Sequence, residues 1–312
     1  MRVLITGGTE FVGSHLCDQL LKDGHNITLL ARNENKKHNV IHNLDKIQLE
    51  YVDVTNFKQL ENSIEKNNPE VIFHLAGETS HKKSFDNPVY DVDVNTKSTL
   101  CILETLRKIN SKCKFILGST FIVVGRSAKL PVTEETICNP TTVYGTNRLS
   151  SEHFSKIYHD VYGLDTIVFR ITNSFGPREQ SETPTKNALN FLINKAFKGE
   201  EVTIYNKGQF FRDVIYISDV ISALKILMHK GKSGNLYWIS SYKKTWFYEI
   251  GNWLNELTNA KIKYIDPPEY TKNVDVGNFL VNNEKLISLG WKPEITVKDG
   301  MEKTIQSFKN MI

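Results

Sequence analysis

A doubly wound α/β fold, a parallel sheet with helices on both faces followed by a smaller C-terminal α/β region, is predicted by three features of this 312-residue chain. Short apolar runs alternate with segments of helical periodicity through the first two-thirds of the sequence. Those runs are continuously apolar rather than alternating, as strands buried on both faces require. The first of them ends in a glycine-rich turn that opens a helix.

The elements follow in order. Arg2–Thr6 is a strand ended by Gly7-Gly8, and Phe11–Leu21 carries apolar residues at helical spacing until Gly24 stops it. Strands at Asn26–Ala31 and Gln48–Val52, a helix at Phe57–Lys66 and a strand at Glu70–Leu75 complete the first half of the sheet. The unit repeats with a helix near Asn95–Ile109, a strand at Lys114–Gly118, a helix over Thr142–Val161 and a strand at Asp165–Phe169. After Gly176-Pro177 the pattern loosens, with helices near Ala188–Lys198 and Ile221–His229 and two aromatic-rich stretches. The division expected is therefore 1–176 for a nucleotide-binding domain and 177–312 for a mainly substrate-binding region that returns some strands to the main sheet.

Composition narrows the function classes. With 40% hydrophobic residues the chain can bury a large core, and Lys+Arg 39 against Asp+Glu 35 leaves only +4, spread along the sequence. Neither nucleic acid nor a membrane is expected as partner, and the absence of a basic-then-apolar leader points to the cytoplasm. Cys17, Cys101, Cys113 and Cys138 show no ligand spacing, so reduced, mostly buried thiols and no metal site are expected.

Two local signals carry chemistry. Gly7-Gly-Thr-Glu-Phe-Val-Gly13 lies between a strand and a helix, where backbone N–H groups and the positive helix end hold a pyrophosphate. Glu10 occupies the middle glycine's place, so its side chain must point outward or repel the ligand. In Tyr144-Gly-Thr-Asn-Arg148, positions i and i+4 share a helix face, and the guanidinium sits near the phenol and favours its anionic form. Oxidation of a secondary alcohol needs a base for the hydroxyl proton and an acceptor for the hydride, and a phenol beside a cation supplies the first. The second strand ends Leu30-Ala31-Arg32, without the carboxylate that usually meets the adenosine ribose of NAD.

The ordered motifs resemble the extended short-chain dehydrogenase/reductase family in its nucleotide-sugar epimerase/dehydratase branch, and the resemblance spans nearly the whole chain. Thr6-Gly-Gly-Thr-Glu-Phe-Val-Gly-Ser-His-Leu16 looks like the family's cofactor loop, Asp53 like its adenine-contacting acid, His74-Leu-Ala-Gly77 like the strand end beneath the nicotinamide ribose and Asp93-Val-Asn95 like its helix asparagine. Gly118-Ser-Thr120, Arg170–Arg178, Phe211–Asp219 and Leu289–Pro293 resemble its remaining motifs. The resemblance implies a Rossmann-type fold. It implies cofactor contacts from Gly7, Phe11, Val12, Gly13, Arg32, Asp53, Val54, Leu75, Ala76, Gly77, Asn95, Tyr144 and Arg148. It also implies catalysis by Tyr144, Thr120 and Arg148, and a substrate diphosphate held by Asn173, Arg178 and Arg212. Arg148 stands where the family has lysine, a non-conservative exchange at a site of tight geometry.

The cofactor implied is NAD, with NADP left open by Arg32. Phe121-Ile122 replaces the Asp-Glu pair that dehydratases place after the catalytic threonine. C4 dehydrogenation, 4-epimerisation through the ketone, or reduction of a 4-keto sugar with NADPH remain, the first as in the GDP-heptose C4-dehydrogenases of bacterial capsule pathways. Glu10 and Arg148 also admit a nucleotide-sugar-binding protein without turnover. The two long helices near Asn95–Ile109 and Thr142–Val161 suit a homodimer like those of the family.

Overall fold

Seven parallel strands form the central sheet of the computed structural model, which describes residues 1–127, 129–179, 182, 187–267 and 275–310. In chain order the strands are β1 (Arg2–Thr6), β2 (Asn26–Ala31), β3 (Gln48–Tyr51), β4 (Val71–His74), β5 (Lys114–Thr120), β6 (Thr166–Ile171), β7 (Asn173–Phe175), β8 (Val202–Tyr205), β9 (Phe211–Tyr216), β10 (Asn235–Ile239), β11 (Lys244–Trp246) and β12 (Ile262–Ile265). The large sheet has the spatial order β10-β6-β5-β4-β1-β2-β3, and β11-β9-β7 and β12-β8 form two small sheets.

The helices among the described residues are α1 (Phe11–Lys22), α2 (Phe57–Asn67), α3 (His81–Asp86), α4 (Pro88–Val92), α5 (Ser98–Lys108), α6 (Val143–Tyr162), α7 (Ala188–Phe197), α8 (Ile217–Lys230), α9 (Phe247–Thr258), α10 (Glu284–Ile287) and α11 (Val297–Lys309). No described helix is long and apolar enough to cross a membrane.

Side chains leave each strand alternately to opposite faces. Val3, Ile5 and Phe73 pack in one core with Leu16 and Leu20 of α1 and Leu224 and Leu227 of α8. Leu4, Ile72, Phe115 and Leu117 pack in the other with Leu60, Ile64, Ile102, Leu103 and Leu106 of α2 and α5 and with Tyr158 of α6. Both faces are covered, which explains the continuously apolar runs. Each such burial contributes about 1.5–3 kcal/mol.

The sheet order reverses between β1 and β4: from β1 the chain winds outward through β2 and β3, then returns to lay β4, β5 and β6 on the other side. Ligands of doubly wound folds enter the crevice at the strand carboxyl ends beside such a switch. The turn after β1 and the segment after β4 border it here. Two expected helices differ in extent. The one expected near Asn95–Ile109 is the last part of a helical run from Pro88, interrupted by a π-helical turn at Asp93–Lys97. The one expected at Ile221 starts at Ile217, because β9 passes directly into it and no glycine or proline intervenes.

Candidate active site

Gly7 adopts a left-handed backbone, φ +67°, and a Cβ there would lie 2.9 Å from the Ala76 nitrogen. A Cβ on Gly13 would overlap the Gly7 carbonyl oxygen, so α1 can approach the turn this closely only with glycine at that position. Glu10 precedes α1 with extended backbone and its side chain makes no capping hydrogen bond, leaving the first-turn N–H groups without a side-chain acceptor. Its side chain is exposed, as an anion beside a phosphate cradle must be. Gly13→Ala is expected to spread the turn and weaken dinucleotide binding at least about tenfold, ~1.4 kcal/mol, in equilibrium titrations. An unchanged affinity would mean that α1 moves without disturbing the cradle.

The floor between β1 and β4 is fixed by a hydrogen-bonded chain. The Ala76 N–H donates to Thr6 Oγ1 (3.1 Å), which lies 2.7 Å from His74 Nδ1, while His74 Nε2 lies 3.1 Å from Ser98 Oγ. Ser98 spends its hydrogen on the Val94 carbonyl (2.5 Å), so Nε2 must carry the imidazole proton and Nδ1 accepts from Thr6. Burial, and then the nearby Arg148, push the His74 pKa down to about 3. His74 is thus a neutral pin that holds β4 and the helical run around Val94 in register with β1.

Helix α6 begins at Thr142, whose side chain accepts the Gly145 N–H at 3.0 Å, and ends at left-handed Gly163. Its buried face carries Tyr144, Arg148, Ser151, Glu152, Ser155 and Tyr158, the spacing of one helix side. Tyr144 and Arg148 therefore lie on the same inward face. Gly145 lets the helix start pack against Pro140 and Ile122, which sets Tyr144 beside the end of β5. There the Tyr144 side chain is hydrogen-bonded to Thr120, and these two residues are each 7% exposed. Burial raises the phenol pKa, opposed by the Arg148 charge and then the Thr120 hydrogen bond. In the ligand-free protein burial wins, and Tyr144 is a neutral phenol at physiological pH.

Arg148 is 4% exposed, and its Nε and Nη1 have no hydrogen-bond partner among the described residues. Asn95, fully buried on the π-helical turn, also has an unpartnered Oδ1, while its Nδ2 donates to the Glu78 carbonyl at 3.1 Å. Both orphans border Gly77: a Cβ there would lie 2.7 Å from Asn95 Oδ1 and 3.4 Å from Arg148 Nη1. Unsatisfied buried donors beside an unsatisfied acceptor match a ribose diol, whose hydroxyls both donate and accept. Together with the N–H-lined turn, the residues present fit a dinucleotide.

Three buried groups that local sequence reading missed support these residues. Asp91, 1% exposed, accepts from Asn147 Nδ2 at 2.7 Å and places a negative charge near Arg148. Under β5, Ser119 donates to Glu152 (2.5 Å), and Glu152 is gripped by Arg170 at 2.7–3.2 Å with the guanidinium over the Trp238 ring. Loss of either charge would strand the other in the interior, at about 3–5 kcal/mol. The one available signal was that Glu152 lies on the Tyr144 face two turns on; nothing in the apolar β6 marked Arg170 as its partner.

The remaining expected residues fall in three places. Asp53 Oδ1 accepts from the Thr55 N–H and hydroxyl (2.9 and 2.7 Å), beside buried Val54, and exposed Arg32 donates to the Tyr90 hydroxyl at 3.3 Å. Asn173 Nδ2 donates to the Asp213 carbonyl at 3.1 Å, and Arg212, 9% exposed, is paired with Asp275 at 2.5 Å over the Phe210 ring. Asp213 accepts from Ser241, Tyr242, Val281 and Thr172, fixing β9 to the segments around it, although burial raises its carboxyl to about 7. Arg178 is bound to Asp18 of α1 at 2.7 Å, its backbone left-handed at φ +68°. Among the described residues no group of three His, Cys, Asp or Glu is placed to hold a metal ion.

A family model described as GDP-mannose 4,6 dehydratase matches residues 4–304. The putative UDP-glucose 4-epimerase of Methanocaldococcus jannaschii is 30% identical over 311 residues, covering 99% of this chain and 98% of that protein. The dTDP-glucose 4,6-dehydratase of Salmonella typhimurium is 28% identical, with 98% of this chain and 92% of that one covered. The crystal structure of UDP-glucose 4-epimerase with UDP-glucose from Thermotoga maritima superposes with a TM-score of 0.90 at 28% identity, covering 100% of this chain and 99% of that one.

Proposed function

We propose, for a chain that belongs to the GDP-mannose 4,6 dehydratase family of nucleotide-sugar epimerases and dehydratases, hydride transfer at C4 of a nucleotide-activated sugar, as a C4-dehydrogenase or a 4-epimerase acting through a 4-keto sugar. The observation that carries it is the buried Tyr144–Thr120 hydrogen bond with Arg148 one turn behind it. Tyr144 takes the proton of the C4 hydroxyl, and Thr120 donates to the same oxygen as charge develops.

The cofactor is NAD. Gly7, Phe11, Val12 and Gly13 hold its pyrophosphate, Arg32, Asp53 and Val54 its adenosine, and Leu75, Ala76, Gly77, Asn95, Tyr144 and Arg148 its nicotinamide ribose. When bound, NAD supplies the hydride acceptor and a positive ring charge. Residues 1–176 provide this site, and residues 177–312 mainly the sugar-nucleotide site. Asn173 and Arg212 reach the diphosphate, which must compete with Asp275 for the guanidinium. Arg178 joins them by exchanging Asp18 for the same group.

Phe121 and Ile122 after Thr120 supply no acid–base pair for elimination, so the reaction stops at the ketone or the epimer. GDP-heptose is the substrate we place first. The exposed Ile157, Val161 and Tyr162 of α6 and Ile109 after α5 form the apolar surface of a homodimer. Incubation with UDP-, GDP-, CDP- and dTDP-hexoses and GDP-heptose, with products read by NMR, tests the reading. A 4-keto sugar or C4 epimer that keeps its C6 hydroxyl is expected. A 6-deoxy-4-keto product would show dehydration instead, and nucleotide-sugar binding without any product would favour a binding protein.

A further inference from the structure

Arg212 carries its charge almost out of reach of solvent: its side chain is 11% exposed, whereas that of its ion-pair partner Asp275 is 49% exposed. The guanidinium is fixed inside the fold and the carboxylate lies at its surface. Asp275 has two further ties, since its Oδ1 accepts the Gly277 N–H at 3.3 Å and its carbonyl accepts from Arg126 Nε at 2.8 Å. Two contacts of Arg212 do not depend on Asp275. Its Nη1 donates to the Phe211 carbonyl at 3.1 Å, and its Cζ lies over the Phe210 ring, 5.3 Å from the centroid.

The Phe210 ring is itself held. Positions 210 and 212 flank Phe211 at the start of β9, so their side chains leave on one side, while Phe211 meets Trp246 of β11, ring centroids 5.1 Å apart. Phe247, the first residue of α9, stacks on Phe210 with centroids 4.2 Å apart and planes 23° from parallel. The Phe247 N–H also donates to the Phe210 carbonyl at 3.1 Å. An aromatic face attracts a cation through its negative quadrupole, more strongly where water is excluded. The ring therefore offsets part of the cost of burying the guanidinium, whichever anion the guanidinium faces. A ring that cannot turn also fixes the plane of the N–H fork.

We propose that Phe210, locked by Phe247, is a positioning residue for the substrate: it holds the Arg212 guanidinium in place while its anionic partner changes from the Asp275 carboxylate to the diphosphate of the sugar nucleotide. The proposal rests on the reading of Arg212 as a diphosphate clamp given above. Without the ring, an arginine released by Asp275 would spread over several rotamers and lose the geometry on which bidentate phosphate recognition depends.

Calorimetric titration of UDP, GDP, CDP and dTDP into the NAD-loaded protein tests it, with the NAD affinity of each variant as the check that it folds. Arg212→Ala should weaken the nucleoside diphosphate that the parent binds best at least about tenfold. Phe210→Leu should weaken it about fivefold or more, the scale of a desolvated cation–π contact, and Phe210→Tyr should stay within about twofold of the parent because it restores the ring face. In the double variant of Phe210→Leu with Arg212→Ala the loss should equal that of Arg212→Ala alone, since the ring acts only through the guanidinium. A merely structural Phe210 would add its own loss. Should Phe210→Leu lose NAD as well, Phe247→Leu, which frees the ring without removing it, takes its place: a loss of about threefold is then expected, and an affinity equal to the parent's overturns the proposal. Phe210→Leu within about twofold of the parent, Phe210→Tyr as weak as Phe210→Leu, or losses that add in the double variant overturn the proposal and leave the clamp standing. If Arg212→Ala binds as the parent does, or the parent binds none of the four nucleotides, the diphosphate reading of Arg212 fails and this proposal with it.

Discussion

Tyr144→Phe is expected to lower turnover at least about 100-fold, the scale of losing a general base, with a far smaller change in the affinity for cofactor, whose nicotinamide ribose keeps its other contacts, and for sugar nucleotide. The ring stays the same size and keeps its place in the small core it shares with Ile122, Val123 and Val124 just after β5, so the variant should fold. What disappears is the one hydroxyl bonded to Thr120 at the end of that strand. The pH dependence follows from the same geometry. The working form of Tyr144 is the phenolate, so the rate should rise with pH through the pKa of the phenol. Burial holds that pKa above the usual phenol value in the ligand-free protein, with Arg148 and Thr120 pulling the other way. A cationic nicotinamide ring supplies further lowering, so loss of cofactor should slow proton transfer as well as remove the oxidant. Turnover of Tyr144→Phe within tenfold of the parent would end the assignment of Tyr144 as base.

Removing the guanidinium in Arg148→Ala should lower both cofactor retention and rate. Its Nε and Nη1 are buried without partners beside Gly77 and Asn95, so a ribose hydroxyl seated there would gain a charge-assisted bond. Such a bond contributes about 1.5–3 kcal/mol, or roughly 10- to 150-fold in affinity. The acidic limb of the pH–rate profile should move to higher pH, because the cation that opposes burial of the phenol is gone. Asp91 would lose the positive charge that now offsets part of its own burial, and its carboxyl, already raised, would rise further. Arg148→Lys restores a compact charge and should keep measurable activity. Bound cofactor and the pH–rate profile of the parent and both variants provide the check. If Arg148→Ala leaves both unchanged, the charge that tunes Tyr144 comes from elsewhere.

The parts of this architecture that were legible in the sequence are those encoded over short stretches. The alternation of apolar strands with periodic helices locates β1 and β2 to the residue and α6 to within one, because each is bounded by its own glycine, cap or charge. The shared face of Tyr144 and Arg148 follows from helix geometry alone. Glu10 had to turn outward for electrostatic reasons and does. The run from His81 to Lys97 was less legible, since two short helices and a π-helical turn break the 3.6-residue repeat just where Asn95 must face Gly77. Pairs that close over long separations left no local mark. Arg170 with Glu152, Arg178 with Asp18 and Arg212 with Asp275 each look like ordinary surface charges until the fold brings their partners to them. The antiparallel pairing of β11 with β9 depends on the same kind of distant contact.

The most direct test of hydride transfer at C4 is rapid mixing of the NAD-loaded protein with nucleotide sugars carrying hydrogen or deuterium at C4, followed through the near-ultraviolet absorbance of reduced nicotinamide. The absorbance should rise in the enzyme's first turnover, more slowly with deuterium than with hydrogen, and Tyr144→Phe should suppress it. A product that accumulates with no reduced-nicotinamide signal and with all of its deuterium still at C4, at equal rates for the two substrates, would contradict the account.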